Sequence, residues 1–170
     1  MAEVFLTSDT HYGHNNITKF PSGLREGEPL RPWDDVNHMN EELISNWNSV
    51  VRPKDIVYHL GDFCMARKYI AIAGRLNGRK KLIMGNHEHH PAREYLEYFE
   101  DVMGVKEIGK AILSHIPLHP SQKKRWPEAN VHGHLHEFKM DDPWYVNVCV
   151  ETRDYTPVPL YVVRKEFQVD

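Results

Sequence analysis

The chain has little cysteine, no long apolar run and no excess of positive charge, and each shortage excludes a class of protein. Its two cysteines, Cys64 and Cys149, cannot build a disulfide framework, which fits a reducing compartment. No apolar run approaches the roughly 20 residues that a membrane span needs, and the N-terminus shows no secretory signal pattern. We therefore expect a cytoplasmic protein without a membrane partner.

Charge and composition narrow the class further. A formal net charge of −3 leaves no general basic surface, so duplex DNA is not an expected partner. Hydrophobic residues make up 41% and charged residues 26% of the 170 positions, as in ordinary globular domains. A chain of this length buries roughly 70% of its unfolded surface, so we expect a single domain over residues 1–170. Histidine is the exception, at 12 residues.

Three short apolar runs end abruptly at polar residues. The central one, within residues 55–62, is a β-favouring run that stops at Gly61-Asp62, which indicates a buried strand of a parallel sheet. In open α/β sheets, ligands collect beyond the carboxyl ends of the strands. The three runs deliver, in chain order, Asp9 with His11, then Asp62, then Asn86 with His87. We interpret this as a two-metal site in which Asp62 is the carboxylate that both ions share.

Helix patterns alternate with strands in the first half of the chain, and strand patterns dominate the second half. Apolar spacing predicts helices from a cap at Asp34 or Asp35 to about Val50, over 66–76 and over 91–98. Segment 21–32 is predicted to be a surface loop. Further strands are predicted at Val105–Ile108, 110–114, Ala129–His132, 144–150 and 158–164. A βαβαβ half followed by a β-rich half predicts an α/β fold with two facing mixed β-sheets flanked by helices, an αββα sandwich.

Later strand patterns end at further donors, namely His115 and the Gly-His-x-His segment that holds His134 and His136. Any one such residue at a strand end is usually a cap or a satisfied polar group, but the ordered series favours a metal site. Carboxylate and imidazole donors without thiolates suit Mn²⁺, our first choice, or Fe, Zn or Ni. Two such ions roughly 3.5–4 Å apart polarise phosphoryl oxygens and generate hydroxide near neutral pH.

The set Asp-x-His, Gly-Asp, Gly-Asn-His, a lone His and Gly-His-x-His resembles that of the calcineurin-like metallophosphoesterases, in particular their small bacterial and phage-type members. The motifs cover residues 9–136. The resemblance implies that His87 binds substrate phosphate and protonates the leaving oxygen, with Asp62 and Asn86 as its catalytic neighbours. It also implies seven ligands for two ions: Asp9, His11 and His136 at the first, Asn86, His115 and His134 at the second, and Asp62 at both.

One ligand has a competitor, because the family's fourth motif often reads Gly-His whereas His115 follows Ser114. His119 lies nearby, but it comes after Pro117 and further from the strand end, so we favour His115. Substrate contacts are predicted for His14, for which a solvated loop position is an equal alternative, and for a further group of cations and one aromatic: Arg67, Lys124, Arg125 and Trp126. For the run that holds the last three, a solvated charged loop is the slightly favoured alternative.

The expected reaction is hydrolysis of a phosphoester by a metal-bridging hydroxide, with His87 as the proton donor. An open site with few phosphate-clamping arginines favours a small diester such as a cyclic nucleotide or short single-stranded oligonucleotide. Met65-Ala66-Arg67 stands where the protein-phosphatase branch has Asp-Arg-Gly, which argues against a phosphoprotein substrate. The alternatives are a phosphomonoesterase acting on a small molecule and a non-catalytic interaction scaffold on the same fold.

Overall fold

A computed structural model describes residues 2–124 and 127–167. Within these residues the strands are β1 (Val4–Thr7), β2 (Ile56–His59), β3 (Arg79–Ile83), β4 (Asp101–Met103), β5 (Val105–Ile108), β6 (Ala111–Ser114), β7 (Ala129–His132), β8 (Tyr145–Asn147) and β9 (Val158–Pro159). The α-helices are α1 (Val36–Val50), α2 (Ala92–Tyr95) and α3 (Leu160–Phe167), and 3₁₀ helices span Ile17–Lys19, Arg67–Arg75, Pro120–Lys124 and Val150–Thr152. None of the helices in these ranges is long and apolar enough to cross a membrane.

The strands form two mixed sheets, as predicted. The first has the order β4-β3-β2-β1-β9, in which β1 to β4 are parallel and β9 is antiparallel to β1. The second has the order β5-β6-β7-β8, with an antiparallel β5–β6 hairpin and parallel pairs beyond it. The α/β sandwich expected from the order of elements is confirmed.

Side chains of the central strands alternate between two apolar cores. Phe5 and Leu82 belong to the core shared with α1 and the Arg67–Arg75 helix. Their neighbours Leu6 and Ile83 belong to the core shared with Leu113 and its sheet. Because successive side chains of a strand point to opposite faces, strands buried on both sides read as the continuous apolar runs seen in the sequence.

The helix α1 follows its sequence pattern closely. Its N-cap is Asp35, whose carboxylate accepts hydrogen bonds from the backbone N–H groups of Asn37 and His38, and the helix ends at Val50 as predicted. Met39, Leu43 and Trp47 are buried at four-residue steps. They pack the helix onto the first sheet, where Trp47 also donates a hydrogen bond to a loop carbonyl.

Other elements differ from the prediction. The predicted helix 66–76 is a 3₁₀ helix, and 91–98 contains only the four residues of α2. The predicted strand 158–164 is wrong, since only Val158–Pro159 pair and α3 follows. Leu160 and Val163 are buried three residues apart, a helical step, so tertiary packing overrode the β-favouring composition. The sequence reading also missed β4, a short edge strand with little apolar signal.

Candidate metal centre

The candidate ligands lie where the parallel strands end. Backbone pairing between β1 and β2 continues past both strands, because Asp9 N–H donates to the Gly61 carbonyl and His11 N–H donates to the Asp62 carbonyl, each at 3.0 Å. The two polar segments are thereby held side by side. Gly61 itself has φ +95° and no room for a side chain, since an added Cβ would lie 2.6 Å from His115 Nδ1.

Five of the candidate ligands have left-handed backbone conformations. Non-glycine residues seldom adopt positive φ, and each such residue stores strain that the surrounding structure must overcome. In the described residues only seven non-glycine positions have it, and five of them are Asp9, His11, Asp62, His134 and His136, with φ from 49° to 69°. Because backbone strain is concentrated at these residues, we infer that the fold maintains the orientation of their side chains.

A first cluster consists of Asp9, His11 and His136, whose donor atoms lie within 4.8 Å of one another. Asp9 Oδ1 and both ring nitrogens of His11 are buried and have no hydrogen-bond partner among the described residues. Burial lowers the pKa of His11, which favours the neutral imidazole that binds metals. A bound cation would satisfy Asp9 Oδ1 and one nitrogen of His11, which are otherwise costly buried groups, so the residues fit a metal ion.

Asp9 is oriented by its other oxygen. Its Oδ2 accepts three hydrogen bonds, so Oδ1 is left facing His11 Nε2 at 3.6 Å; the donors are Ser8 Oγ at 2.5 Å, His134 N at 2.9 Å and Cys149 Sγ at 3.2 Å. Burial opposes ionisation of Asp9, but the proximity of His11 and of the other imidazoles holds the pKa of the carboxyl well below its usual range. Cys149 is therefore a buried thiol that contacts a ligand, and burial raises its pKa far above the ordinary value.

Asp62 stands between the first cluster and a second one. Its Oδ1 accepts a hydrogen bond from the His87 backbone N–H at 2.9 Å. Its Oδ2 lies 3.6 Å from His11 Nε2 and 3.5 Å from His115 Nε2. The carboxylate thus faces ligands of both clusters with one oxygen, which is the arrangement that a bridging ligand needs.

The second cluster comprises Asp62, His115 and His134, again within 4.8 Å of one another. His115 Nδ1 lies 2.8 Å from the Leu60 carbonyl and donates to it, so Nε2 presents a lone pair. That Nε2 is 2.9 Å from Asn86 Oδ1 and 3.2 Å from His134 Nδ1. Acceptor atoms this close to one another are favourable when they surround a shared cation. His119, the competitor of His115, is outside the cluster and contacts Ser121.

Glu88 ties the strand ends together behind the second cluster. Its buried carboxylate accepts hydrogen bonds from the backbone N–H groups of Asp62 at 2.8 Å, Phe63 at 2.7 Å and Gly85 at 2.5 Å. Burial raises the pKa of Glu88, and the three N–H donors act against that increase. The sequence analysis assigned no structural role to Glu88.

A buried ion pair supports the first cluster, and the sequence reading missed it as well. Arg31 lies in the segment predicted to be a surface loop, yet it is fully buried. It donates to Glu151 Oε1 at 2.7 Å and to the carbonyls of Thr10 and Asp9. Glu151 Oε1 also accepts from His136 Nδ1 at 2.9 Å, which leaves Nε2 of His136 for a metal. Although burial opposes it, the charge of Arg31 lowers the pKa of Glu151 to about 2.

His87 lies beside both clusters without belonging to either. Its Nε2 is 3.9 Å from Asp62 Oδ2, and its side chain is 36% exposed. The ring stands edge-on to that of His11, with centroids 5.4 Å apart. The His87 side chain is partly exposed and close to Asp62, so a substrate that approaches the candidate ligands can reach it.

The predicted substrate contacts separate into three groups. His14 is close to the first cluster, with its ring centroid 5.7 Å from that of His11, and its Nδ1 accepts from Ile17 N–H. Arg67 pairs with Glu94 at 3.0 Å and lines a cleft that contains none of the candidate ligands. Arg125, Trp126 and the side chain of Lys124 lie outside the described residues. The neighbouring Lys123 forms an ion pair with Asp142.

No family model matches the chain. The chain is 34% identical to the uncharacterized protein MJ1445 of Methanocaldococcus jannaschii, over 97% of this chain and 91% of that protein. Its structure resembles the crystal structure of AQ665, a protein of unknown function from Aquifex aeolicus, with TM-score 0.72 and 28% identity over 97% and 99% of the two chains. It also resembles a novel archaeal phosphodiesterase, with TM-score 0.51 and 19% identity over 85% and 82%. At that identity the last comparison shows the fold alone.

Proposed function

We propose, from the premise that this chain belongs to the calcineurin-like metallophosphoesterase family, that it hydrolyses small phosphodiesters with two divalent metal ions. The observation that carries the proposal is the position of Asp62 Oδ2, which lies within 3.6 Å of imidazole nitrogens from two separate clusters. We further propose that residues 1–170 form one metallophosphoesterase domain.

The roles follow from the geometry of the two clusters. Asp9, His11 and His136 would hold the first ion, Asn86, His115 and His134 the second, and Asp62 both. Such ions, when bound, activate water and polarise phosphoryl oxygens. We propose Mn²⁺, with Fe, Zn or Ni as alternatives, because carboxylate, amide and imidazole donors without thiolates suit these metals.

We assign the proton donor to His87 Nε2. This atom is 3.9 Å from the carboxylate of Asp62, the proposed bridging ligand. The side chain is 36% exposed and takes part in neither cluster, so it is open to the leaving oxygen of a substrate. A proton delivered there would neutralise the alkoxide as its bond to phosphorus breaks.

Two clefts beside the ligands favour a diester over a monoester. One, of about 390 Å³, is lined by His134 and His136, and the other, of about 400 Å³, by Asn86 and His115. Both volumes are in the range of ligand pockets. The two clefts share no lining residue, and the described residues that line them include no Lys or Arg to clamp a phosphate dianion. A diester has two organic groups to place and only one negative charge.

The experiment compares bis(p-nitrophenyl) phosphate with p-nitrophenyl phosphate, with and without added Mn²⁺. We expect faster metal-dependent hydrolysis of the diester. Preference for the monoester would make the chain a phosphomonoesterase, and inactivity on both with two metals bound would indicate a non-catalytic scaffold. Asp9→Asn is the matched control, because it should abolish whatever hydrolysis depends on the first ion.

A further inference from the structure

We propose that Phe20 and Phe138 form a stacking subsite for the base of a nucleotide diester. The cleft that they line also contains His134 and His136, so it opens directly beside the candidate metal centre. The inference rests on the proposed function, since it places the phosphate of the same substrate at the ions. It assigns binding to two residues for which the sequence pattern carried no signal.

Both phenylalanines are exposed although they lie next to ligands. Phe20 is 46% and Phe138 is 50% exposed. Edge-to-face rings connect Phe20 to the metal centre, because His14 lies with its centroid 5.7 Å from Phe20 and 5.7 Å from His11. Phe138 comes two residues after the ligand His136. An aromatic surface therefore begins one ring away from the position that the phosphate would occupy.

The cleft is held in shape by a buried carboxylate. Glu137 is 6% exposed, and it accepts hydrogen bonds from Ser22 Oγ at 2.7 Å and from the Gly23 backbone N–H. A Cβ on Gly23 would lie 2.5 Å from Phe138 Cζ, so the ring is packed edge-on against this backbone. The loop that carries Phe20 is thus fastened to the segment that carries Phe138, which lowers the ordering cost of binding.

The chemistry of the lining favours a flat aromatic group. Leu30, Pro21 and the two phenyl rings are apolar, and the carboxylate of Glu137 is already used by the loop. The ligand imidazoles are committed to the ions. Stacking does not distinguish one base from another, because every base has a π-face. We therefore expect binding of purine and pyrimidine nucleotides with little preference among them.

The test compares AMP with ribose 5-phosphate, which differ only by the base, by calorimetric titration of the full Mn²⁺-loaded chain. In the unsubstituted protein AMP should bind about tenfold more tightly, an effect of the size that stacking one base produces. In Phe138→Ala and Phe20→Ala the ratio of the two affinities should fall toward one. Phe138→Tyr, which keeps the ring, should restore it. Tyr161→Ala removes an exposed aromatic that lines neither cleft, and it should leave the ratio as it was.

The outcomes separate this inference from the proposed function. Equal affinities for AMP and ribose 5-phosphate in a protein that hydrolyses bis(p-nitrophenyl) phosphate would overturn the subsite alone. A tenfold ratio that survives both alanine substitutions would also overturn it, since the base would then bind elsewhere. A ratio that depends on Phe20 and Phe138 in a protein without diesterase activity would support the subsite and remove the proposed function.

Discussion

The two candidate metal positions use similar donors but differ in their access to water. At the first, Asp9 is 0% and His11 is 2% exposed. At the second, His134 and Asn86 are both exposed. When an ion leaves, water can solvate exposed ligand atoms. Buried ligand atoms without a hydrogen-bond partner are costly in the absence of an ion. We therefore predict that an ion at the first position would be retained more strongly than an ion at the second.

The supporting residues differ in the same sense. Behind the first position, the Arg31–Glu151 pair is completely buried and orients His136 directly. Behind the second, Glu88 contacts only backbone N–H groups. At the first position, supporting side chains therefore contact a candidate ligand directly. At the second, the supporting carboxylate stabilises only the backbone at the strand ends.

Asp62→Asn should weaken both metal positions, because a neutral amide cannot replace a carboxylate that the two positions share. We expect reduced occupancy of both ions and a loss of diesterase activity of at least about 10³-fold. Metal content by mass spectrometry and hydrolysis of bis(p-nitrophenyl) phosphate provide the measurements. Two full equivalents of metal in this variant would contradict the bridging assignment.

His87→Ala should separate chemistry from metal binding. We expect a rate loss of about 10²–10⁴-fold with both ions retained, because the side chain donates a proton without being a ligand. The loss should shrink for good leaving groups such as p-nitrophenolate, which need little protonation. The assay is a series of diesters with increasingly basic leaving groups. An equal loss across that series, or loss of metal, would rule out the proton-donor role.

Glu151→Gln should weaken the first position selectively. Loss of the charge that orients His136 is expected to reduce affinity for the first ion by about 10–100-fold. Titration of the metal-free chain with Mn²⁺ would show the tighter of two binding steps moving toward the weaker one. Glu166→Gln is the matched control, because Glu166 pairs with Arg153 and contacts no candidate ligand. If only the weaker of the two Mn²⁺ binding steps changed, Glu151 would support the second metal position rather than the first.

Mild chelation should remove the ions in order. We expect one equivalent to leave at low chelator concentration and the other only at high concentration, since the exposed residues His134 and Asn86 would hold the second ion. His134→Ala should eliminate the easily removed equivalent, whereas His136→Ala should eliminate the resistant one. Metal analysis after dialysis against graded chelator measures this. Simultaneous loss of both ions would show that exposure does not govern retention.

The loop 123–126 should have the smallest effect. In the sequence it stands between His115 and His134, two candidate ligands of the second position, so we expect its cations to attract a phosphate. Replacing Lys124 and Arg125 by alanine is expected to raise KM for a 2′,3′-cyclic nucleotide about threefold, an effect of the size that a weak ion pair of less than about 1 kcal/mol produces. The kcat on bis(p-nitrophenyl) phosphate should stay constant at fixed salt. Equal changes for both substrates would assign the loop to the solvated surface.

Local signals explain why the candidate ligands could be found from sequence. A glycine-bounded apolar run indicates both a buried strand and the residue at which it ends. Parallel strands end at the same edge of the sheet, so their terminal residues lie close together. The C-terminal segment had no such signal. Its β-branched residues suggested a strand over 158–164, whereas burial of Leu160 and Val163 against the cores selects the helix α3.

The sequence by itself determined which candidate donors meet, because each of them is specified by the strand and turn that carry it. Only the tertiary structure decided how unequal the two positions are. Arg31 and Glu151 are 120 positions apart, and Phe20 and Phe138 reach one cleft from segments just as distant. Neither pair has a local pattern, since a buried arginine in a loop reads like a solvated one until the chain has folded around it.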